Sequence, residues 1–142
     1  MSTDNFISTD YHALSSEIEN SVKSNSSIKL ISKESAWLRC AISRAYYSAF
    51  LTLREDIKNN PKLQNILTNS TDDHQIIIDA LYRLPASEKF YANHLHNLRK
   101  FRNHCDYDLP PKFEVSVSMT HIYNKSAQTL IKNSKNILNK IL

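Results

Sequence analysis

Two stretches carry residues that could do chemistry. LRKFRNHCDYDL, residues 98–109, crowds Arg99, Arg102, Asn103, His104, Asp106 and Tyr107 onto what reads as one helix end. AISRAYYSAF, residues 41–50, sets Arg44 among alanines, tyrosines and a phenylalanine. Guanidinium is a planar, permanently charged fork that matches oxyanions, and imidazole titrates near neutrality, so this set suits binding an anion and moving a proton. At helical spacing Arg102 lies at the edge of an apolar stripe with Asp106 one turn on, while Arg99 and Asn103 share the adjacent row. His104 points to a different side, unless the helix ends before it. An Arg–Asp pair four residues apart is usually only a helix salt bridge, yet the density of polar groups here exceeds what that explanation requires. Arg44 has two readings that the sequence leaves open: a buried arginine paired with a carboxylate, or the wall of a phosphate pocket that Tyr47 shares.

Other chemistries are excluded by what is missing. The chain contains no glycine. Phosphate-cradling loops need residues without side chains where the backbone approaches the ligand, so P-loop and Rossmann sites cannot be built. Di-iron bundles need an acidic residue three before a histidine. The residues at those places are Thr9, Thr71, Tyr91, Asn93, Phe101 and Ser118. His94 and His96 stand roughly 200° apart on a helix and cannot chelate together, one being a surface residue and the other half-buried. Cys40 and Cys105 show no ligand spacing and read as reduced thiols packing as small hydrophobes, which places the protein in the cytoplasm. No metal and no cofactor is expected.

The elements that must position these residues are helices. Type I′ and II′ hairpins lean on glycine, so an all-β fold is disfavoured. A first helix capped by Ser8, Thr9 or Asp10 runs to about residue 25, with Tyr11, Leu14, Ile18 and Val22 on one face. NSSIKLIS reads as a loop, and Ser32 caps a long second helix reaching Lys58 before the Asn-Asn-Pro turn. Trp37, Leu38, Ala41, Ile42, Ala45, Tyr46, Ala49, Phe50 and Leu53 go almost all the way round it, the mark of a central, buried helix. A short helical piece at 62–67, a third helix at about 73–83 behind the capping run NSTDD, and a fourth at about 86–105 follow. The pair Pro110-Pro111 breaks the fourth. The last runs from Glu114 to the C-terminus with Val115, Met119, Ile122, Leu130 and Ile137 inward and Lys125, Lys132, Lys135 and Lys140 outward. That lysine row reads as a solvated face, or second as one that tracks phosphates. The expected fold is all-α: a single domain over residues 1–142, an up-and-down bundle of about five helices.

The composition agrees with one ordinary globular domain: 41% hydrophobic and 23% charged residues. No run approaches the roughly 18 apolar residues of a membrane span, and the polar, acidic start MSTDNFISTD is no signal peptide. Eighteen Lys and Arg against 14 Asp and Glu leave a net charge of +4, which suits an anionic partner only weakly.

The two motifs, in this order, resemble those of the HEPN domain, an all-helical bundle; the likeness runs from about Trp37 into the last helix. The resemblance implies a metal-independent endoribonuclease of toxin–antitoxin or antiphage-defence type, acting on RNA, tRNA among the substrates, as a homodimer whose cleft joins two motif copies. It also implies an antitoxin or nucleotidyltransferase partner that silences the toxin, in some pairs by adenylylating a motif tyrosine. The R-x4-6-H signature can be read in two registers. Arg99 to His104 is a literal R-x4-H, whereas Arg102-Asn103 takes the common Arg-Asn position and leaves Tyr107 where histidine is expected. By this likeness Arg102 and Arg99 hold the phosphate, His104 moves protons, Asn103 and Asp106 orient them, and Tyr107 donates a proton or accepts a modification. The alternatives are a non-catalytic HEPN module binding nucleotide, RNA or a protein, and a purely structural dimerisation bundle.

Overall fold

The computed structural model describes residues 9–23, 32–67, 72–108 and 114–141. Within them the chain forms five α-helices and no strand: α1 (Thr9–Lys23), α2 (Ser32–Lys58), α3 (Asp73–Leu81), α4 (Phe90–Tyr107) and α5 (Val117–Leu138). Two short 3₁₀ turns, Gln64–Leu67 and Ala86–Glu88, join α2 to α3 and α3 to α4. The all-α bundle read from the sequence is therefore the architecture. No helix among the described residues is long and apolar enough to cross a membrane. The predicted 25–32 loop and the Pro110-Pro111 break lie largely or wholly outside the described residues, as do the side chains of Tyr11, Leu14 and Val22.

α2 is the axis because alanine and large apolar residues surround it without a glycine or proline to weaken it. Leu38, Ala41, Ile42, Ala45, Tyr46, Ala49, Leu53 and Ile57 are all completely buried. Ala45, Tyr46, Ala49, Leu53 and Ile57 join Ile77, Ile78 and Leu81 of α3, Leu95 and Leu98 of α4, and Leu130 of α5 in the main core. A second, smaller cluster of Leu38, Ile42, Cys105 and Val115 closes one end under Phe101 and Tyr123. Burial pushes the Cys105 thiol up to about 12, so it behaves as an inert hydrophobe. Two apolar residues expected inside are not: Trp37 is 51% and Ile122 59% exposed. Each lies off the buried stripe of its helix, which the all-round apolar pattern of α2 and the length of α5 had concealed.

Helix ends follow local chemistry. Asn60 Oδ1 accepts the Lys62 backbone N–H at 2.9 Å, an Asx turn that stops α2 ahead of Pro61's neighbours. Asp72 caps α3 by accepting the Gln75 N–H at 3.0 Å, and Ser116 caps α5 by accepting that of Met119 at 3.1 Å. The C-terminus of α4 is held by a residue from another helix. Arg39 Nη1 donates to the carbonyls of His104, Cys105 and Asp108 at 3.3, 3.1 and 2.5 Å, placing a cation on the negative end of the helix dipole.

α1 is stitched on by polar groups as well as by Ile18. Ser15 Oγ donates to the Ala41 carbonyl at 2.7 Å and also meets Asn124 Oδ1. Asn124 Nδ2 donates to Glu19 Oε2 at 2.7 Å, and His121 Nδ1 lies 2.8 Å from Glu19 Oε1. Glu19, Ser15 and Asn124 are buried, so removing one partner leaves another unsatisfied. Asn124→Ala is expected to cost about 1–3 kcal/mol, read as a lower thermal midpoint with the helix content of the folded state retained.

Candidate functional site

Helical spacing puts Arg99 and Arg102 on one flank of α4, and the bundle turns that flank toward α2 and the start of α3. Arg102 Cζ stands 5.3 Å from the ring centroids of both Tyr46 and Tyr47, so its guanidinium rests on two aromatic groups. Its side chain is only 11% exposed, and its carboxylate contact, Nη1 to Asp106 Oδ2, is long at 3.4 Å. Arg99 reaches α3 instead, Nη1 to Gln75 Oε1 at 3.1 Å and Nη2 to Asp72 Oδ1 at 3.5 Å. In both arginines the Nε atom is buried with no hydrogen-bond partner among the described residues. Two buried guanidinium Nε–H groups without an acceptor among the described residues, on arginines whose carboxylate contacts are long, are donors open to an anion.

Tyr46 is the hub. It is completely buried, stacks with Phe50 at 6.0 Å and meets Tyr47 edge-on at 5.4 Å. Its hydroxyl contacts His74 Nδ1. Burial drives the Tyr46 phenol well above its ordinary value despite the opposing fields of Arg99 and Arg102, so it stays neutral. His74 lies in the first turn of α3, its ring stacked 3.9 Å from that of Phe50. Burial first, then Arg99 and Arg102, hold His74 below its ordinary value near 6.5.

The sign of that shift makes a prediction. A folded state that binds the His74 proton less readily than the unfolded chain loses stability as pH falls through 6.5 toward the lower folded value, and keeps it above 6.5. His94, also lowered by burial, acts in the same direction. Thermal midpoints are expected to drop between pH 7 and pH 5, and His74→Asn to flatten part of the drop.

Tyr47 is half-buried beneath Arg102, at the site. Arg44, half-buried, lines a cleft of about 330 Å³ between α2 and α4 with Arg39, Cys40 and Asp106. Asn103, exposed, lines a second cleft of about 350 Å³ with Arg99, Lys100, His96 and Gln75. Tyr107 is 75% exposed. His104 is on another face: its Nδ1 is 2.5 Å from Asp108 Oδ2 and its ring meets Phe101 edge-on at 6.0 Å, where Phe101 packs on Tyr123 of α5. The structure thus brings Arg99, Arg102, Asp106 and Tyr47 together, with Arg44 and Asn103 on the flanking clefts, and turns the His104 side chain away from Arg99 and Arg102 toward Asp108.

Sequence reasoning missed His74, Asp72 and Gln75. The NSTDD run signalled a helix start but not its neighbour, and no local pattern pairs residue 74 with residues 46 and 102. No group of three or more His, Cys, Asp or Glu side chains placed to hold a metal ion occurs among the described residues. Compared with family models, with curated proteins and with solved structures, the chain matches none.

Proposed function

We propose that this protein is a metal-independent endoribonuclease of the HEPN type. The observation that carries the proposal is the arginine pair: Arg102 and Arg99, one turn apart, each with a buried and unpartnered Nε among the described residues. RNA supplies its own nucleophile, because the 2′-hydroxyl can attack the adjacent phosphorus. The protein then needs only to orient the phosphate and stabilise the charge that grows on its non-bridging oxygens. Guanidinium groups preorganised by tyrosine rings and by Gln75 suit that task, and stabilisation specific to the transition state raises the rate. The two clefts carry Arg39 and Arg44 in one and Arg99 and Lys100 in the other, cations of the kind that hold polynucleotide phosphates.

In this reading the protein acts in the cytoplasm as a homodimer, where an anion bridging the arginines of two copies relieves their repulsion. tRNA is a substrate to examine first. The exposure of Tyr107 leaves its phenol reachable by a nucleotidyltransferase or antitoxin partner. A second reading, a non-catalytic module binding nucleotide, RNA or a protein partner, is favoured by one observation: His104 is engaged with Asp108, away from the arginines.

Incubation with total tRNA in the presence of EDTA is expected to give fragments ending in 2′,3′-cyclic phosphate, with DNA of the same sequence left intact. A folded protein that binds the tRNA without cutting it would establish the binding module instead.

A further inference from the structure

We infer that His74 is the proton-transfer residue of the arginine site, its Nε2 receiving the proton of the attacking 2′-hydroxyl; this rests on the nuclease reading above. His74 and Arg102 share Tyr46, whose hydroxyl meets His74 Nδ1 and whose ring lies under the Arg102 guanidinium. His74 and Arg99 share α3: Asp72 and Gln75, on either side of His74 in the chain, are the two residues that Arg99 grips. One histidine therefore sits between the anchors of both phosphate-binding groups, in a way that His104 does not.

Its ring is also fixed as an acid–base group must be. Phe50 stacks on it at 3.9 Å with planes 12° apart, and Tyr47 meets it edge-on at 6.2 Å. Because Tyr46 stays neutral, its oxygen can accept the Nδ1–H, which leaves the Nε2 lone pair as the base. The charged and titratable groups around the ring are Tyr46 and Tyr47 from α2, Asp72 and Asp73 from α3, and Arg99 and Arg102 from α4. Asp73 is itself paired to Arg54 of α2 at 3.0 Å. Burial, and after it the fields of Arg99 and Arg102, hold the imidazole below its ordinary value, so at neutral pH it can act as base without first losing a proton.

In the step, the O2′–P bond forms as the 2′-hydroxyl proton passes to His74 Nε2. The P–O5′ bond breaks, and the leaving 5′ oxygen takes a proton from water. His74 then releases its proton to solvent, giving a 2′,3′-cyclic phosphate and a 5′-hydroxyl with no metal, oxidant or co-substrate.

The test compares wild type, His74→Asn, Tyr46→Phe and His104→Asn on a labelled single-stranded RNA with EDTA, following cleavage rate from pH 5 to 9, RNA binding by anisotropy, and folding by circular dichroism. His74→Asn is expected to slow cleavage about 100- to 10,000-fold while RNA affinity stays near wild type. His104→Asn is expected to cleave far faster than His74→Asn, and Tyr46→Phe to move the acid limb of the rate profile. If wild type cuts and His74→Asn cuts equally well, His74 is not the base, although the nuclease reading stands. If wild type binds RNA without cutting it, the nuclease reading falls and the proposal with it. Should His74→Asn fail to fold, Tyr46→Phe decides, and an unmoved acid limb overturns the assignment.

Discussion

Arg102→Ala is expected to slow RNA cleavage by about 100- to 1,000-fold, the scale on which enzymes lose rate when one preorganised transition-state donor is removed. The fold is expected to tolerate the change. The contact that Arg102 makes with Asp106 is long, at 3.4 Å, and its carboxylate side is open to water, so it is expected to contribute only a few tenths of a kcal/mol. Stacking on Tyr46 and Tyr47 adds roughly 1 kcal/mol, and removing a charge beside Arg99 gives some of it back. A variant with a thermal midpoint within a few degrees of wild type and almost no cleavage would identify a site residue. Arg102→Lys separates charge from shape: a point charge cannot offer the planar fork to a phosphate, so it should restore binding more than rate. An Arg102→Ala protein that melts far lower, from a wild type that never cut RNA, would identify a structural arginine instead.

Tyr46→Ala is expected to be the most damaging single change to stability, at about 3–5 kcal/mol. The side chain is the largest of the fully buried residues and sits inside the main core against Phe50 and His74. The cavity cannot collapse readily, because α2 is held by helices on several sides. Urea denaturation should show the midpoint moving down with little change in slope. Tyr46→Phe keeps the ring and loses only the hydroxyl contact to His74, for which about 1 kcal/mol is expected. Combining Tyr46→Ala with Arg102→Ala should give non-additive losses, since the Arg102 side chain rests on the ring being removed.

Most helix positions were legible because their determinants are local. Ser32 to Lys58 was read with both ends in place, since apolar periodicity and an Asn-Asn-Pro stop act within a turn or two. Asp72 as the cap of α3 lay within the run that the sequence pointed to. The predicted start of α4 was early because Pro85 and Ser87 begin a 3₁₀ turn, a tighter structure with the same cues, before the α-helix opens at Phe90. Residues 62–67 likewise hold a 3₁₀ turn over only part of their length. Exposure of Trp37 and Ile122 was not legible, since an apolar residue on a helix carries no record of which neighbour reaches it.

The site divides along the same line. The sequence alone determined that glycine-dependent nucleotide loops are absent, because the chain has no glycine, and that the bundle is helical and Arg99 and Arg102 share one flank of their helix, because a repeat of 3.6 residues per turn decides both. It also placed His104 off that flank by angle. Only the tertiary structure decided what faces the arginines. Tyr46, His74, Asp72 and Gln75 come from two other helices, brought there by burial of the apolar faces of α2 and α3, an effect that depends on area and not on residue order. A histidine far away in the chain thereby became the neighbour of both arginines, while the one beside them in sequence went to Asp108.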